Sequence, residues 1–389
     1  MMTNNSSTVP VLHAKSQHIN ARQLAFLVAF LLPAQKLLEL PSLLTAHAGG
    51  DLLIAALFGL TIEFIPFCCL LFFCKRTKTA PIEALERRCG KITARIFCGV
   101  FGAFLLLYAV LPLLDLEKFS HAAFSDTSPT FFIFAPFFVL GGFICTKGLS
   151  AYGRASDLLP MLFLLPILGL IGMSLTEADF TRLLPVMEKP LTVSIKAVWK
   201  TTAYFSSGSL LLPMMSAYQY RDGDEKKLLS AFGVGAVLTL LFLATFFAVF
   251  GLTGEKEHYA VMKLAQYFPA LKFVGRIDLL LVYTLSIGLF YYTALPMQLF
   301  TECFTRCFSL RKKWITASVL SVLLLLFTLF CNKYWRAIHA FFSEAMPPVF
   351  LLFSVGVPIA FLLLLGQKRQ GRYENNSKTE EETEVGNGE

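Results

Sequence analysis

The sequence predicts an all-α, polytopic membrane protein with about ten transmembrane helices in two sets of five. Three observations predict it: an apolar composition, ten long apolar runs, and interruptions at corresponding places in the two sets. Of 389 residues, 56% are hydrophobic and only 15% are charged, and Phe occurs 39 times. The mean hydropathy is +0.63. A water-soluble fold carries about 25% charged residues. This chain has too few polar groups to cover its apolar surface, so lipid is the missing solvent. Disordered, collagen-like and disulfide-rich classes are excluded. The net charge of +8 is not a nucleic-acid footprint, because the charges sit in short clusters between apolar runs.

A spanning helix needs about 20 mainly apolar residues. Such runs occupy 22–47, 52–74, 92–114, 130–147, 157–175, 197–218, 230–252, 277–300, 314–332 and 344–366. Pro33, Lys36, Glu39 and Pro41 interrupt the first. Ser206-Ser207-Gly208-Ser209 and Pro213 interrupt the sixth. The domain organisation that follows is a segment 1–21, a transmembrane domain 22–366 with repeats at about 22–175 and 197–366, and a polar tail 367–389 expected to be disordered. The first apolar segment is expected to remain in the mature protein, since Ala46-His47-Ala48 lies too far from the Leu24–Leu32 stretch, with Lys36 and Glu39 between, to be its cleavage site.

Three connections carry their own patterns. Thr79-Ala80-Pro81 reads as a helix start, with Ile82, Leu85 and Cys89 on one face. Val261, Leu264, Ala265 and Phe268 follow helical spacing and are expected to lie along the interface or cover an outer vestibule. The polar stretch 176–196 has a helix start at Pro190. Lys and Arg favour one set of loops by roughly two to one, which places both termini in the cytoplasm.

In hydrocarbon every backbone polar group must be satisfied inside the protein, so helix breaks occur where protein or a wet cavity surrounds them. Broken helices at matching positions of two halves point to a midplane binding site, whose half-helix ends can hold a carboxylate or a cation. Ordinary proline kinks are the plainer alternative. Lys36 and Glu39, three apart, are expected to share a helix face and partly neutralise each other. Glu63, mid-span in 52–74, is a second possible partner for Lys36. An intramembrane ammonium is costly, about 2.5–3.5 kcal/mol on insertion scales. Lys36 therefore either replaces a bound sodium ion, contacts an anionic ligand group, or forms a buried structural ion pair. Glu39 or Glu63 would then change protonation during opening and closing. In the sixth span, Tyr204, Ser206, Ser207, Gly208 and Ser209 offer hydroxyls and close backbone approach; the alternative is that these serines bond back to their own helix. Asp157 is read as an interfacial carboxylate paired with Arg154, and Ser286, Gly288, Tyr291 and Thr293 as possible cavity-lining residues.

No catalytic residues and no cofactor are implied: G-x-x-x-x-G-K-[ST], H-E-x-x-H and G-x-S-x-G are all missing from the sequence. Nine cysteines without a C-x-x-C pair give no disulfide framework and no zinc signature. Cys303 and Cys307, four apart, can share a helix face but supply too few ligands for a metal.

Ile19-Asn20-Ala21-Arg22-Gln23-Leu24, Leu40-Pro41 and Ala48-Gly49-Gly50-Asp51 resemble the start of the spore germination permease family. Gly148-Leu149, Arg154, Asp157-Leu158-Leu159-Pro160, Asp179-Phe180 and Leu183-Leu184-Pro185-Val186 are similar to its later motifs. These stretches cover roughly the first 215 residues. That family supplies the B subunit of nutrient germinant receptors and belongs to the amino acid–polyamine–organocation transporter superfamily. The resemblance implies a 5+5 inverted repeat with broken helices 1 and 6 and a nutrient such as an amino acid held between them. It also implies receptor A and C subunits as partners, and the spore inner membrane, or a bacterial cell membrane, as location. Two departures stand out. Ala34-Gln35-Lys36-Leu37-Leu38-Glu39 occupies the place of a Gly-rich turn, and Ser209 follows Gly208 where a glutamate is usual. The expected ligand contacts are therefore Ala34, Gln35, Lys36, Glu39, Tyr204, Ser206, Ser207, Gly208 and Ser209, with Lys36, Glu39 and Glu63 coupling charge. An amino-acid transporter driven by protons and a non-sensing scaffold are the competing readings of the same scaffold.

Overall fold

The computed structural model describes residues 19–124, 129–267, 277–309 and 313–366. Among these the chain is helical, and its one β feature is a parallel bridge between Ile19 and Tyr218. The first span is two rods, α1 (Ala21–Lys36) and α2 (Leu40–Ala48). Next come α3 (Leu52–Thr77), the short connecting helix α4 (Pro81–Cys89), α5 (Lys91–Phe124) and α6 (Thr130–Lys147). The fifth span is α7 (Leu149–Ala155) and α8 (Leu159–Ser174). The sixth is again two rods, α9 (Leu191–Lys200) and α10 (Gly208–Met214). The rest are α11 (Asp224–Phe250), the connecting helix α12 (Ala260–Tyr267), α13 (Ile277–Phe308), α14 (Lys313–Lys333), a short α15 (Trp335–Glu344) and α16 (Pro347–Leu365). Leu40–Thr77, Lys91–Ala122, Leu149–Ser174, Asp224–Lys256, Trp314–Lys333 and Pro347–Leu365 are each long and apolar enough to cross a bilayer. The protein is an integral membrane protein.

The ten expected runs all lie on these helices, and the differences have physical causes. Helix α5 continues past the end of its apolar run at 114 to Phe124, because Asp115, Glu117, Lys118 and His121 find partners inside the protein. On α4, Ile82 and Leu85 are buried as expected, but Cys89 is exposed at the helix end. On α12, Val261, Leu264 and Ala265 are buried; Phe268 lies outside the described residues, as do most of segment 1–21 and the tail 367–389. Pro190 is the N-cap of α9.

The packing repeats with twofold logic. If spans one to five map onto six to ten, the contact of span one with span seven must be mirrored by span six with span two. Both occur, as α1 on α11 and α9 and α10 on α3. The third and eighth spans (α5, α13) and the fourth and ninth (α6, α14) pack on their own counterparts, as such an axis requires. One body is thus α1–α3 with α9–α11, and the other is α5, α6, α13 and α14. Lipid gives no hydrophobic drive between helices, so close packing must hold them. Gly99 and Gly102 of α5 face Cys307 and Cys303 of α13, so the two cysteines fill a helix seam. Gly235 of α11 sits so close to α1 that a Cβ there would lie 2.9 Å from the Ala29 carbonyl oxygen. Leu140, Leu165, Leu323 and Leu364 point outward, as lipid-facing residues do.

Candidate functional site between the two broken helices

Pro41 breaks the first span. It has no N–H to give the carbonyl four residues back, and its ring crowds that turn. Helix α1 stops at Lys36 and α2 begins at Leu40. The carbonyls released at the break are taken up locally. Leu38 O accepts from Ala260 N–H of α12 at 2.9 Å, and Glu39 O accepts from Ser42 Oγ at 2.8 Å. In the sixth span the end of α9 is satisfied by hydroxyls. Thr201 Oγ1 donates to Ala197 O at 2.8 Å, and Thr202 Oγ1 to Trp199 O at 2.7 Å. This is how polar side chains make a broken helix tolerable in a membrane.

The two breaks are tied together through α3. Lys36 Nζ lies 2.9 Å from Glu63 Oε2 and donates to Glu63 Oε1 at 3.1 Å and to Leu32 O at 2.9 Å. Glu63 Oε1 in turn accepts from the Ser207 N–H at 3.1 Å and from the Ser207 hydroxyl. The Lys36 and Glu63 side chains are each 1% exposed. The Phe205 ring, its centroid 5.5 Å from Lys36 Nζ, closes the pair from the sixth span. Gly59 of α3 makes room for that ring, since a Cβ there would lie 2.5 Å from it. Gly208 lets α10 approach Pro66 of α3. Lys36 caps the negative end of α1, and Glu63 sits at the positive start of α10, so both helix dipoles favour the arrangement.

The expected Lys36–Glu39 neutralisation is replaced by Lys36–Glu63. The break at residues 37–39 turns Glu39 away, so spacing of three no longer means a shared face. Glu39 instead joins Asp115 of α5 and His339 of α15, one ligating atom from each lying within 4.8 Å of the others. Tyr204 donates to Asp115 Oδ2 at 3.4 Å. Burial alone would lower the imidazole pKa of His339, but the Asp115 carboxylate beside it outweighs this and holds it above the ordinary value. A cavity of about 190 Å³ adjoins this cluster, lined by Leu43, His47, Leu111, Lys200, Tyr204 and His339 among others.

The other expected residues divide. Gln35 Oε1 accepts from Tyr292 of α13 at 2.7 Å and from Tyr108 of α5 at 3.3 Å, linking the two bodies. Ala34 is buried in the last turn of α1. Ser206 donates to Thr202 O and Ser209 to Ser206 O, both at 2.7 Å, so their hydroxyls serve their own helix. On α13, Ser286 and Thr293 bond back to Val282 O and Leu289 O. Gly288 packs on Phe163, and Tyr291 stacks on Tyr152 at 4.1 Å. Asp157 pairs with Arg22 at 3.0 Å and accepts from Gln23 Nε2 at 3.0 Å, not with Arg154, because α1 passes directly beside it. Sequence reading missed Tyr108, Asp115, Tyr292 and His339. Asp115 directly follows an apolar run, and Tyr292 adjoins Tyr291, but neither carries a distinguishing local pattern.

Hydrogen bonds bridge the elements on either side of the site. On the face carrying residue 19, Ile19 N–H donates to Ala217 O at 2.8 Å and Ser156 Oγ to Gln23 O at 3.0 Å. On the opposite face, α12 closes over the first break through the Ala260–Leu38 bond.

Solved structures share this architecture at low sequence identity. A structure of MhsT in complex with L-phenylalanine is similar with a TM-score of 0.64 and 15% identity, covering 89% of each chain. A Na+-coupled sialic acid symporter in a substrate-bound outward-open state has a TM-score of 0.53 and 12% identity, covering 90% of this chain and 84% of that one. A manganese transporter from Eremococcus coleocola has a TM-score of 0.53 and 15% identity, covering 92% and 81%. These show the transporter fold with its inverted repeat. No curated protein sequence matches the chain. Residues 18–334 match the spore germination protein family, and the chain therefore belongs to that permease-type family of membrane proteins.

Proposed function

We propose that this protein is the membrane subunit of a nutrient germinant receptor, binding a small amino-acid-like nutrient between α1/α2 and α9/α10 and signalling germination with A and C subunits. Family membership and the amino-acid complex of MhsT support this reading. The observation that carries it is the chain Lys36–Glu63–Ser207, which joins both helix breaks through buried charge. A zwitterionic ligand offers both a carboxylate for Lys36 and an ammonium for Glu63. It can exchange with the internal pair, and a ligand acts by its different affinity for the open and paired arrangements. In this reading Ala34, Gln35 and Tyr204 frame the space, Glu39 answers from the opposite face, and the face carrying residue 19 is cytoplasmic, in the spore inner membrane.

The test is ligand-induced thermal stabilisation of the purified protein across a panel of amino acids and sugars. At least one amino acid should raise the melting temperature of the wild type and lose that effect in Lys36→Met. A flat panel, or a response that survives Lys36→Met at normal protein level, overturns the proposal. Accumulation of the same amino acid in proteoliposomes with a proton gradient would instead make the protein a transporter.

A further inference from the structure

We propose that Glu39, Asp115 and His339 form a site for a divalent transition-metal ion of the Zn2+ or Mn2+ class, at the membrane face opposite residue 19. The inference does not rest on the germinant reading. Three elements converge here from distant parts of the chain. Glu39 is the N-cap residue of α2, Asp115 lies on α5 and His339 on α15, and one ligating atom from each lies within 4.8 Å of the others. Two carboxylates and an imidazole are a donor set suited to such ions.

Asp115 supplies the second observation. It is 1% exposed, and its Oδ1 has no hydrogen-bond partner although it is buried. Tyr204 engages only Oδ2, which fixes the carboxylate and leaves Oδ1 directed at His339. The His339 Nε2 facing it, 3.8 Å away, also has no hydrogen-bond partner. A buried carboxylate oxygen without a hydrogen-bond donor is costly, its imidazole partner being too distant to donate, and an ion between the two atoms would satisfy both. In a tetrahedral shell with bonds of about 2.1 Å, neighbouring donor atoms sit about 3.4 Å apart. The Asp115–His339 spacing is close to that value, and the wider limit of 4.8 Å is within reach of a small side-chain adjustment by Glu39. Three protein ligands leave a position open for water, and His339, together with Tyr204, also lines a cavity of about 190 Å³. Tyr204 acts as a positioning residue that orients the ligating carboxylate.

The experiment is isothermal titration of the full-length protein in detergent, purified through a histidine-free tag, with ZnCl2 and separately MnCl2. A thermal melt of each sample runs in parallel. The expected result is saturable binding of at least one ion near one equivalent, with a Kd below about 100 μM and a raised melting temperature. Asp115→Asn and His339→Gln, both near-isosteric, should each weaken binding by about tenfold or more, while Asp157→Asn, whose partner Arg22 is largely exposed, should leave it intact. Absence of saturable binding to the wild type overturns the proposal and leaves the cluster as a histidine–carboxylate ion pair. Binding unchanged in both variants overturns it equally. Should one variant fail to fold, the other decides.

Discussion

Replacing Glu63 with Gln removes one negative charge and almost no volume from the centre of the molecule. Lys36 Nζ now has two Glu63 oxygens at 2.9 and 3.1 Å and one backbone carbonyl at 2.9 Å. In Glu63→Gln an amide oxygen can still accept from Ser207, so the tie to α10 is retained, but the ammonium is left uncompensated in a site that is 1% exposed. Breaking a buried pair in this way costs about 3–5 kcal/mol. The companion variant Lys36→Met/Glu63→Gln removes both charges and fills the same space. It should fall within about 1–2 kcal/mol of wild type, because the cost lies in the orphaned charge rather than in the loss of the pair. The assay is unfolding in mixed micelles by titrating sodium dodecyl sulfate, followed by loss of helical signal, for wild type, both single variants and the double. The reasoning is refuted if Glu63→Gln lies within about 1 kcal/mol of wild type, or if the double variant is no more stable than the worse single variant.

Gly235→Val should destabilise by about 1–3 kcal/mol or more in the same assay, since the new Cβ meets the Ala29 backbone rather than a flexible side chain. Asp51→Ala should cost about 1–3 kcal/mol and speed amide exchange over 187–189, because its carboxylate accepts from the Met187 and Lys189 amides at 2.7 and 2.8 Å, and from the Glu188 amide. Asp157→Asn should change stability by less than about 1 kcal/mol, as Arg22 is largely exposed, yet hydrogen exchange at residues 19–24 should accelerate as that closure loosens.

The fold was legible because the bilayer imposes one length scale on every span and because prolines accompanied by charged or clustered small polar residues stand out from the lone prolines, such as Pro66 and Pro296, of helices that continue. The positions of both breaks could be read for that reason. Partner choice could not. Pro41 shows that the helix stops but not which way Glu39 turns afterwards, so spacing alone favoured Lys36–Glu39 over Lys36–Glu63. Asp115 illustrates a second blind spot. An apolar-run criterion ends the helix at the first carboxylate, whereas α5 carries that carboxylate inward to meet Tyr204 and His339. The serines of the sixth span show a third: composition cannot tell a hydroxyl that faces a ligand from one that repairs its own backbone, and Ser207 differs from Ser206 and Ser209 only in three dimensions.

The bond from Ala260 to the Leu38 carbonyl makes the loop helix α12 a mechanical extension of the joint in the first span. Tilting α2 must either drag that helix along or strand a carbonyl in a non-aqueous interior. Loop helix and interior joint therefore behave as one lever, and a reagent that clamps α12 at the face opposite residue 19 would immobilise the hinge without touching either half-helix.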